Sequence, residues 1–188
     1  MILYIYMSNN YFSPNQKITG GAAFFSFNSK EGAVYIKLLK QVAMNQDKKN
    51  NFDGANPINV KLGQDEVADL IRAIRTSSES KFFHQFNDTK TSGSFKFYTV
   101  PANGTFPAKN GFGLSVKKTA DGKEQEIKVG FTLGGAERLS LYLQNALVHI
   151  FDAEYSQDLK DAKEYLEKKK SLNPKETEQQ EPETNGDF

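Results

Sequence analysis

Cysteine is absent from this 188-residue chain, and its absence excludes several kinds of chemistry. Without thiols there are no disulfides, thiolate nucleophiles or cysteine zinc sites. Histidine is scarce as well, and His84 and His149 lie far apart in sequence rather than at metal-ligand spacing. The glycine pairs match neither common phosphate-loop pattern, and no nucleophile elbow is present. The sequence therefore predicts neither catalysis nor a metal or other cofactor.

Long apolar runs are also missing, which argues against a transmembrane segment. The apolar opening, residues 1–6, lacks the basic region and the cleavage site of a signal peptide, and Met7 is an alternative start. We therefore expect a cytoplasmic protein. The chain has no Trp but 15 Phe and eight Tyr, which suits a β-rich core, a stacking surface or both.

Charge is distributed unevenly along the chain. Residues 171–188 contain five acidic residues and one lysine, a formal charge of −4. Because the whole chain is +1, residues 1–170 carry +5, which is +1 minus −4. A mildly basic body with an acidic arm suggests a protein that binds a polyanion and carries a competing polyanion of its own. We predict a flexible N-terminal arm at 1–16 and a disordered acidic tail at 171–188.

Strand and helix patterns fill the chain between the arm and the tail. Asp121-Gly122 is a strong signal for a two-residue hairpin. Residues 154–170 predict a helical extension with a thin apolar stripe. Several strands followed by a helix occur twice, which is an α+β pattern. The predicted strands are 19–28, 33–42, 58–62, 80–86, 94–100, 111–118 and 125–133, and the predicted helices are 64–75 and 135–153.

Several segments resemble the Whirly family of single-stranded DNA-binding proteins, in the same order and at similar spacing. The acidic pair Asp65-Glu66, an apolar stripe and then Lys81–Gln85 (KFFHQ) are similar to that family's helix-to-strand junction. Gly113–Val116 (GLSV) resembles the family's NLSV strand, and 127–151 resembles its last strand and helix.

A glycine- and alanine-rich strand extends the resemblance. Thr19–Phe24 is similar to the family's KGKAAL strand, with Thr19 and Gly21 where the family has lysines. The resemblance implies a Whirly-like nucleic-acid-binding domain over 17–153, with ββββα twice and antiparallel sheets packed on helices. It also implies a homotetramer that binds single-stranded DNA with low sequence preference.

The acidic tail is not part of the plant family's pattern. It resembles the C-terminal tails of single-stranded DNA-binding proteins from bacteria and their phages, which recruit replication partners through a terminal Phe. This favours a bacterial or phage version, in a bacterial cell or a phage-infected host, that acts in replication, recombination or repair. The candidate partner-binding residues are Asp187 and Phe188.

Binding of single strands needs cations that follow the phosphates and flat side chains that stack on bases. Alternation along the strands predicts that lysines share outward faces with tyrosine or serine. The candidate nucleic-acid-binding residues are Phe25, Phe27, Tyr35, Lys37, Lys96, Tyr98, Lys117 and Lys128. Phe25 and Phe27 share one face with Ala23, so we expect core packing for at least one of them.

Three alternatives remain open at this level. The protein could bind RNA, because kinetoplastid guide-RNA-binding proteins share the Whirly fold and a preference for the 2′-hydroxyl is not readable from sequence. It could instead be a protein-assembly module that uses the aromatic sheets and the 154–170 helix for protein contacts only. The outward lysines and tyrosines could also be ordinary solvent-facing positions.

Overall fold

The computed structural model describes residues 9–44, 51–102 and 108–172, without the side chains of Lys170 and Leu172. These residues form two four-stranded antiparallel sheets, each followed by a helix. This confirms the predicted arrangement of ββββα twice. The first half contains β1 (Asn9–Ser13), β2 (Gly21–Asn28), a 3-10 turn (Ser29–Glu31), β3 (Ala33–Lys40), β4 (Ile58–Leu62) and α1 (Gln64–Thr76). The second half contains β5 (Glu79–Phe86), β6 (Thr89–Val100), β7 (Lys109–Ala120), β8 (Lys123–Thr132) and α2 (Leu133–Leu172).

Each sheet is a meander in which neighbours in sequence are neighbours in space, in the orders β1-β2-β3-β4 and β5-β6-β7-β8. Asp121 and Gly122 have φ values of 51° and 71°, the left-handed conformations that a tight hairpin turn requires. The predicted hairpin between β7 and β8 is therefore confirmed.

The core lies between the inner faces of the two sheets and the two helices. Val34, Ile36 and Leu38 on β3 are buried, as the alternation in that strand predicts. α1 buries the predicted stripe that includes Val67 and Leu70. α2 contributes its first half, with Leu139, Leu143, Ala146 and Ile150 wholly buried.

Two elements differ from the prediction. β1 lies within the segment predicted as a flexible arm. The strand was not predicted because asparagines are poor strand formers and give little local signal. The strand pairs with β2, and Tyr11 packs with its ring centroid 5.8 Å from that of Phe25 and 4.7 Å from that of Phe131. The helix predicted to end at 153 and the extension predicted at 154–170 are one continuous helix, α2.

The start of β2 lies directly against β8. A Cβ atom placed on Gly21 would lie 2.8 Å from the carbonyl oxygen of Lys128 and 2.7 Å from Cγ2 of Ile127. Only glycine allows the two backbones to approach so closely. This contact places the glycine-rich end of β2 against β8 of the second sheet.

Candidate nucleic-acid interface

The outer face of the second sheet collects four of the predicted site residues. The register pairs Lys96 with Gly113, Tyr98 with Gly111, Ser92 with Lys117 and Ser115 with Lys128. The three lysines and Tyr98 therefore point away from the core. Lys96, Lys117 and Lys128 are exposed, and Tyr98 is 37% exposed. Alternation along the strands therefore brings Lys96, Tyr98, Lys117 and Lys128 onto one surface.

A polar row crosses the middle of this face from one edge of the sheet to the other. The register places Lys81, Ser94, Ser115 and Lys128 side by side on four successive strands. The hydroxyl of Ser94 donates to Glu79 and that of Ser115 donates to Glu126, both at 2.8 Å. Each glutamate also pairs with a lysine on its own strand at 3.1 Å, Glu79 with Lys81 and Glu126 with Lys128. The two halves of the row thus repeat the same arrangement.

These hydrogen bonds keep the two glutamates charged. The hydrogen bond from the Ser94 hydroxyl, and to a lesser extent the one from Lys81, holds the pKa of Glu79 below its usual value. The Ser115 hydroxyl, followed by Lys128, does the same for the pKa of Glu126. The carboxylates are therefore ionised throughout the neutral range, and they offset part of the positive charge of the face.

The central part of the face is only mildly basic. Its three middle rows contain four lysines (Lys81, Lys96, Lys117, Lys128) and two glutamates (Glu79, Glu126), a formal charge of +2. Lys117 pairs with Glu124 at 3.2 Å, whereas Lys96 makes no ion pair within the described residues. Exposed ion pairs of this kind stabilise a fold by about 0–1 kcal/mol, so the paired lysines readily exchange their glutamate partners for a phosphate.

Two aromatic rings lie on the same face. Tyr98 lies against glycines: a Cβ on Gly113 would meet the ring at 3.8 Å, and one on Gly130 would lie 3.7 Å from the hydroxyl. The glycines leave room for the ring to lie close to the sheet. Phe83, on the outward side of β5, is 61% exposed. Both rings are available for stacking.

Lys81 and Phe83 were not among the residues selected from the sequence. Their outward position follows from their neighbours, because Ser80 and Phe82 belong to the inner face of β5 and opposite faces alternate. Phe82 packs over Gly93, where a Cβ would lie 1.9 Å from the ring. The sequence alternation of β5 places Lys81 and Phe83 on one face, but which face is buried is decided only by the folded structure.

A groove borders this face where the first sheet begins. It is lined by Ser13, Asn15 and Thr19 on one side and by Lys96 and Lys128 on the other. The Nδ2 group of Asn15 donates to the Thr19 hydroxyl at 3.1 Å, and its Oδ1 accepts the Thr19 backbone N–H at 3.1 Å. These bonds order the rim, which adds polar side chains beside the lysines.

Tyr35 and Lys37 lie elsewhere, on the outer face of the first sheet. The Tyr35 hydroxyl donates a hydrogen bond to Glu31, which raises the pKa of Tyr35, and the Lys61 amine lies 5.8 Å from the ring centroid. Lys37 is exposed and makes no ion pair within the described part of the chain. The structure does not bring these two residues together with those of the second sheet.

The outer face of the first sheet also has an aromatic cluster that the sequence prediction missed. Phe12 packs edge-on against Phe24, with centroids 5.5 Å apart, and lies 5.7 Å from Phe52. Phe12 is 56% exposed, and Phe24 stands opposite Lys37 in the register. The cluster depends on β1, so its signal was absent once that strand had been predicted as a flexible arm.

Phe25 and Phe27 require a correction, because both belong to the inner face of β2. Phe25 is wholly buried and is therefore a core residue rather than a base-stacking platform. Phe27 is half-buried and stacks on His149, with centroids 5.7 Å apart and planes 6° apart, next to Tyr142. It packs the first sheet against α2 and is turned away from the outer face.

His84 has a structural partner. Its Nε2 lies 2.7 Å from Glu66 Oε1, and the other oxygen of Glu66 accepts the backbone N–H of Gly63 at the start of α1. Within residues 9–44, 51–102 and 108–172, no three acidic or histidine side chains cluster as a metal site. The helices of the same segments are too short or too polar to cross a bilayer. Asp187 and Phe188, predicted to bind partners, lie outside the described residues.

Solved structures share this architecture. WHY1 from Arabidopsis thaliana aligns with a TM-score of 0.59 and 13% identity, over 86% of this chain and 95% of that chain. MRP1/MRP2 from Trypanosoma brucei aligns with a TM-score of 0.55 and 18% identity, over 77% and 85% respectively. The fold is Whirly-like.

A Whirly-like fold is also found in a guide-RNA-binding protein complex bound to a guide RNA, with a TM-score of 0.55 and 18% identity. That alignment covers 78% of this chain and 92% of the other. The sequence matches no protein-family model and no curated protein. At such low identity, the likeness establishes the architecture, and the chemistry must be argued from this chain's own side chains.

Proposed function

We propose that this protein binds single-stranded nucleic acid with little sequence preference through the outer face of the second sheet. The observation that carries the proposal is the shared surface of Lys81, Lys96, Lys117 and Lys128 with two exposed rings. Cations follow the phosphates, and rings stack on any base because every base has a π-face. The Whirly-like fold supports the proposal, since one neighbour of the same fold is bound to a guide RNA.

Binding on this face exchanges ion-pair partners. A phosphate that approaches Lys81 or Lys128 competes with Glu79 or Glu126 for the amine. Lys96 stands opposite Glu79 in the register but makes no ion pair within the described residues, and it is the expected first contact. Bases stack on Tyr98 at one end of the face and on Phe83 near β5, and each stacked base contributes roughly 1–3 kcal/mol.

We place the protein with single-stranded DNA in replication, recombination or repair, in a bacterial or phage setting. The tail, with Asp187 and Phe188, recruits partner proteins and competes with nucleic acid for the lysines. A homotetramer would combine four such faces around one strand, which offsets the mild charge of each. RNA is the closest alternative ligand and is supported by the guide-RNA complex of the same fold.

A protein-assembly module is the second candidate, from a different class. The formal charge of only +2 in the central rows favours it, since nucleic-acid surfaces are usually more basic. This candidate predicts no salt-dependent binding of oligonucleotides.

Fluorescence anisotropy with a labelled oligo-dT of about 30 nucleotides tests the proposal, in a salt series beside a duplex and a matched RNA. We expect tighter binding to the single strand than to the duplex. With up to four phosphate contacts per chain, the slope of log affinity against log salt should approach about −3. Whichever of DNA and RNA binds more tightly identifies the ligand class.

The matched variants Tyr98→Ala and Tyr98→Phe test the stacking contact in the same assay. Tyr98→Ala should weaken binding roughly 5- to 150-fold, the equivalent of one stacked base, while Tyr98→Phe should keep most of the affinity because it keeps the ring. Absence of binding by the wild-type protein at low salt would transfer the assignment to the assembly module. Equal loss in both Tyr98 variants would show that the hydroxyl, not the ring, makes the contact.

A further inference from the structure

α2 continues well beyond the body of the protein. Its buried residues end at Ile150, Ala153 is half-buried, and every side chain from Glu154 to Lys169 is exposed. We call residues 154–172 the α2 extension, which spans about 28 Å at 1.5 Å per residue. Glu154 at its start accepts a hydrogen bond from Gln64, and the side chains beyond it are exposed, although short helices without packing are marginally stable in water.

The α2 extension carries an apolar stripe that faces solvent. Tyr155, Leu159, Ala162 and Leu166 follow one another at spacings of four, three and four, the spacing of coiled-coil core positions. Tyr155 is 66% exposed, Leu159 45% and Leu166 55%. A stripe with this spacing fits the side of another helix.

The distribution of charge along the α2 extension indicates which helix could pair with it. Residues 154–161 contain three acidic residues and one lysine, a formal charge of −2. Residues 163–170 contain four lysines and two glutamates, a formal charge of +2 in the sequence. Two copies in parallel would place like charges side by side, whereas two antiparallel copies place the acidic half of each beside the basic half of the other.

We propose that the α2 extension pairs with the α2 extension of a second copy of this chain, in antiparallel orientation. Tyr155 then lies beside Leu166 of the partner subunit, and Leu159 beside Ala162 of the partner subunit. The two-fold axis passes between Lys160 and Asp161, midway between Tyr155 and Leu166. The pairing is self-complementary, as a two-fold interface requires, and it does not depend on nucleic-acid binding.

Cysteine cross-linking in the full-length chain tests the pairing and its orientation, because the chain has no cysteine of its own. Tyr155→Cys and Leu166→Cys are made as separate variants, one of them with an affinity tag, and are expressed alone and together. Mild oxidation is followed by a non-reducing gel. In an antiparallel pair the two copies of position 155 lie 11 residues apart along the axis, about 16 Å, which is beyond disulfide reach.

Gln157→Cys with Glu164→Cys is the matched control. These two positions have the same relation to the two-fold axis but lie on the opposite side of the helix, half a turn from the stripe. Both replaced pairs are exposed, so the body should fold normally, which circular dichroism verifies.

The proposal predicts that the mixed Tyr155→Cys and Leu166→Cys sample yields at least tenfold more disulfide dimer than either variant alone or the control pair. Cross-linking of Tyr155→Cys with itself would show a parallel pair and overturn the proposal. Equal yields in all samples, including none in any, would show that the α2 extension does not pair with a second copy.

Discussion

Phe24 and Phe25 are neighbours in sequence and lie on opposite faces of β2. Phe25 is wholly buried, with its ring 5.8 Å from that of Tyr11, whereas Phe24 joins Phe12 on the outer face. A buried phenylalanine contributes to the stability of the fold, while an exposed ring contributes to what the surface can bind. Single substitutions separate these two roles.

Phe25→Ala should therefore act on stability, because it leaves a cavity between the sheets. We expect the free energy of unfolding to fall by about 3–5 kcal/mol, measured by urea denaturation. Phe83→Ala removes a ring that is 61% exposed and should change the unfolding free energy by no more than about 0.5 kcal/mol while weakening nucleic-acid binding. Similar losses of stability in the two variants would contradict this division.

At the scale of a single sheet, charge is tuned by pairs of glutamate and lysine. Glu126 accepts from Ser115 at 2.8 Å and pairs with Lys128 at 3.1 Å, and its pKa is held below the usual value. The carboxylate therefore stays negative at neutral pH. It restrains the attraction of this face for phosphates under physiological conditions.

Glu126→Gln should tighten binding of a single strand severalfold. The amide oxygen still accepts from Ser115, while the charge of the central rows rises from +2 to +3 and Lys128 loses its competitor. The salt slope should steepen by about 0.7, the value of one extra phosphate contact. Glu137→Gln, at an exposed position near the start of α2, is the control and should leave affinity unchanged. Weaker binding by Glu126→Gln would show that the carboxylate itself contacts the ligand.

The strands differ in how well their faces could be predicted from sequence. β3 alternates from Val34 to Leu38, so Val34 and Ile36 were correctly placed inside and Lys37 outside. β2 has phenylalanine at 24, 25 and 27, which makes both faces apolar, and only its register with β1 and β3 decides which ring is buried. Pairing between distant segments leaves no local periodicity to detect.

The helices, like the strands, could be predicted only where the local sequence pattern repeats. The apolar stripe of α1 was visible because each turn repeats it, and the structure buries that stripe. The continuity of α2 through residue 153 was not predicted, since the apolar pattern thins where the helix leaves the body. The lysine face of the second sheet was foreseeable from alternation, whereas the Phe12–Phe24–Phe52 cluster required contacts that only the folded chain makes.

At the scale of the whole molecule, a mildly basic body is joined to an acidic tail of formal charge −4. Removal of residues 173–188, the part of the predicted 171–188 tail that follows α2, should tighten single-strand binding at low salt, and the gain should shrink as salt screens the tail. The same anisotropy assay measures it. A tail of equal length with its five acids replaced by amides should behave like the truncation.

Phe188→Ala separates the two proposed roles of the tail. It keeps the charge, so affinity for the single strand should match the wild type, while recruitment of replication or recombination proteins should be lost. Unchanged affinity on truncation, together with unchanged partner binding by Phe188→Ala, would remove the tail from the proposed function.

β1 is completed by residues that are synthesised long after it. The Arg138 side chain donates to the Asn10 carbonyl oxygen at 3.2 Å, 128 residues away, and the Phe131 ring lies 4.7 Å from that of Tyr11. A ribosome needs on the order of ten seconds to cover that distance. During this interval the inner face of the first sheet is not covered by β8 and α2, so the nascent chain exposes these core side chains until those two elements have been synthesised.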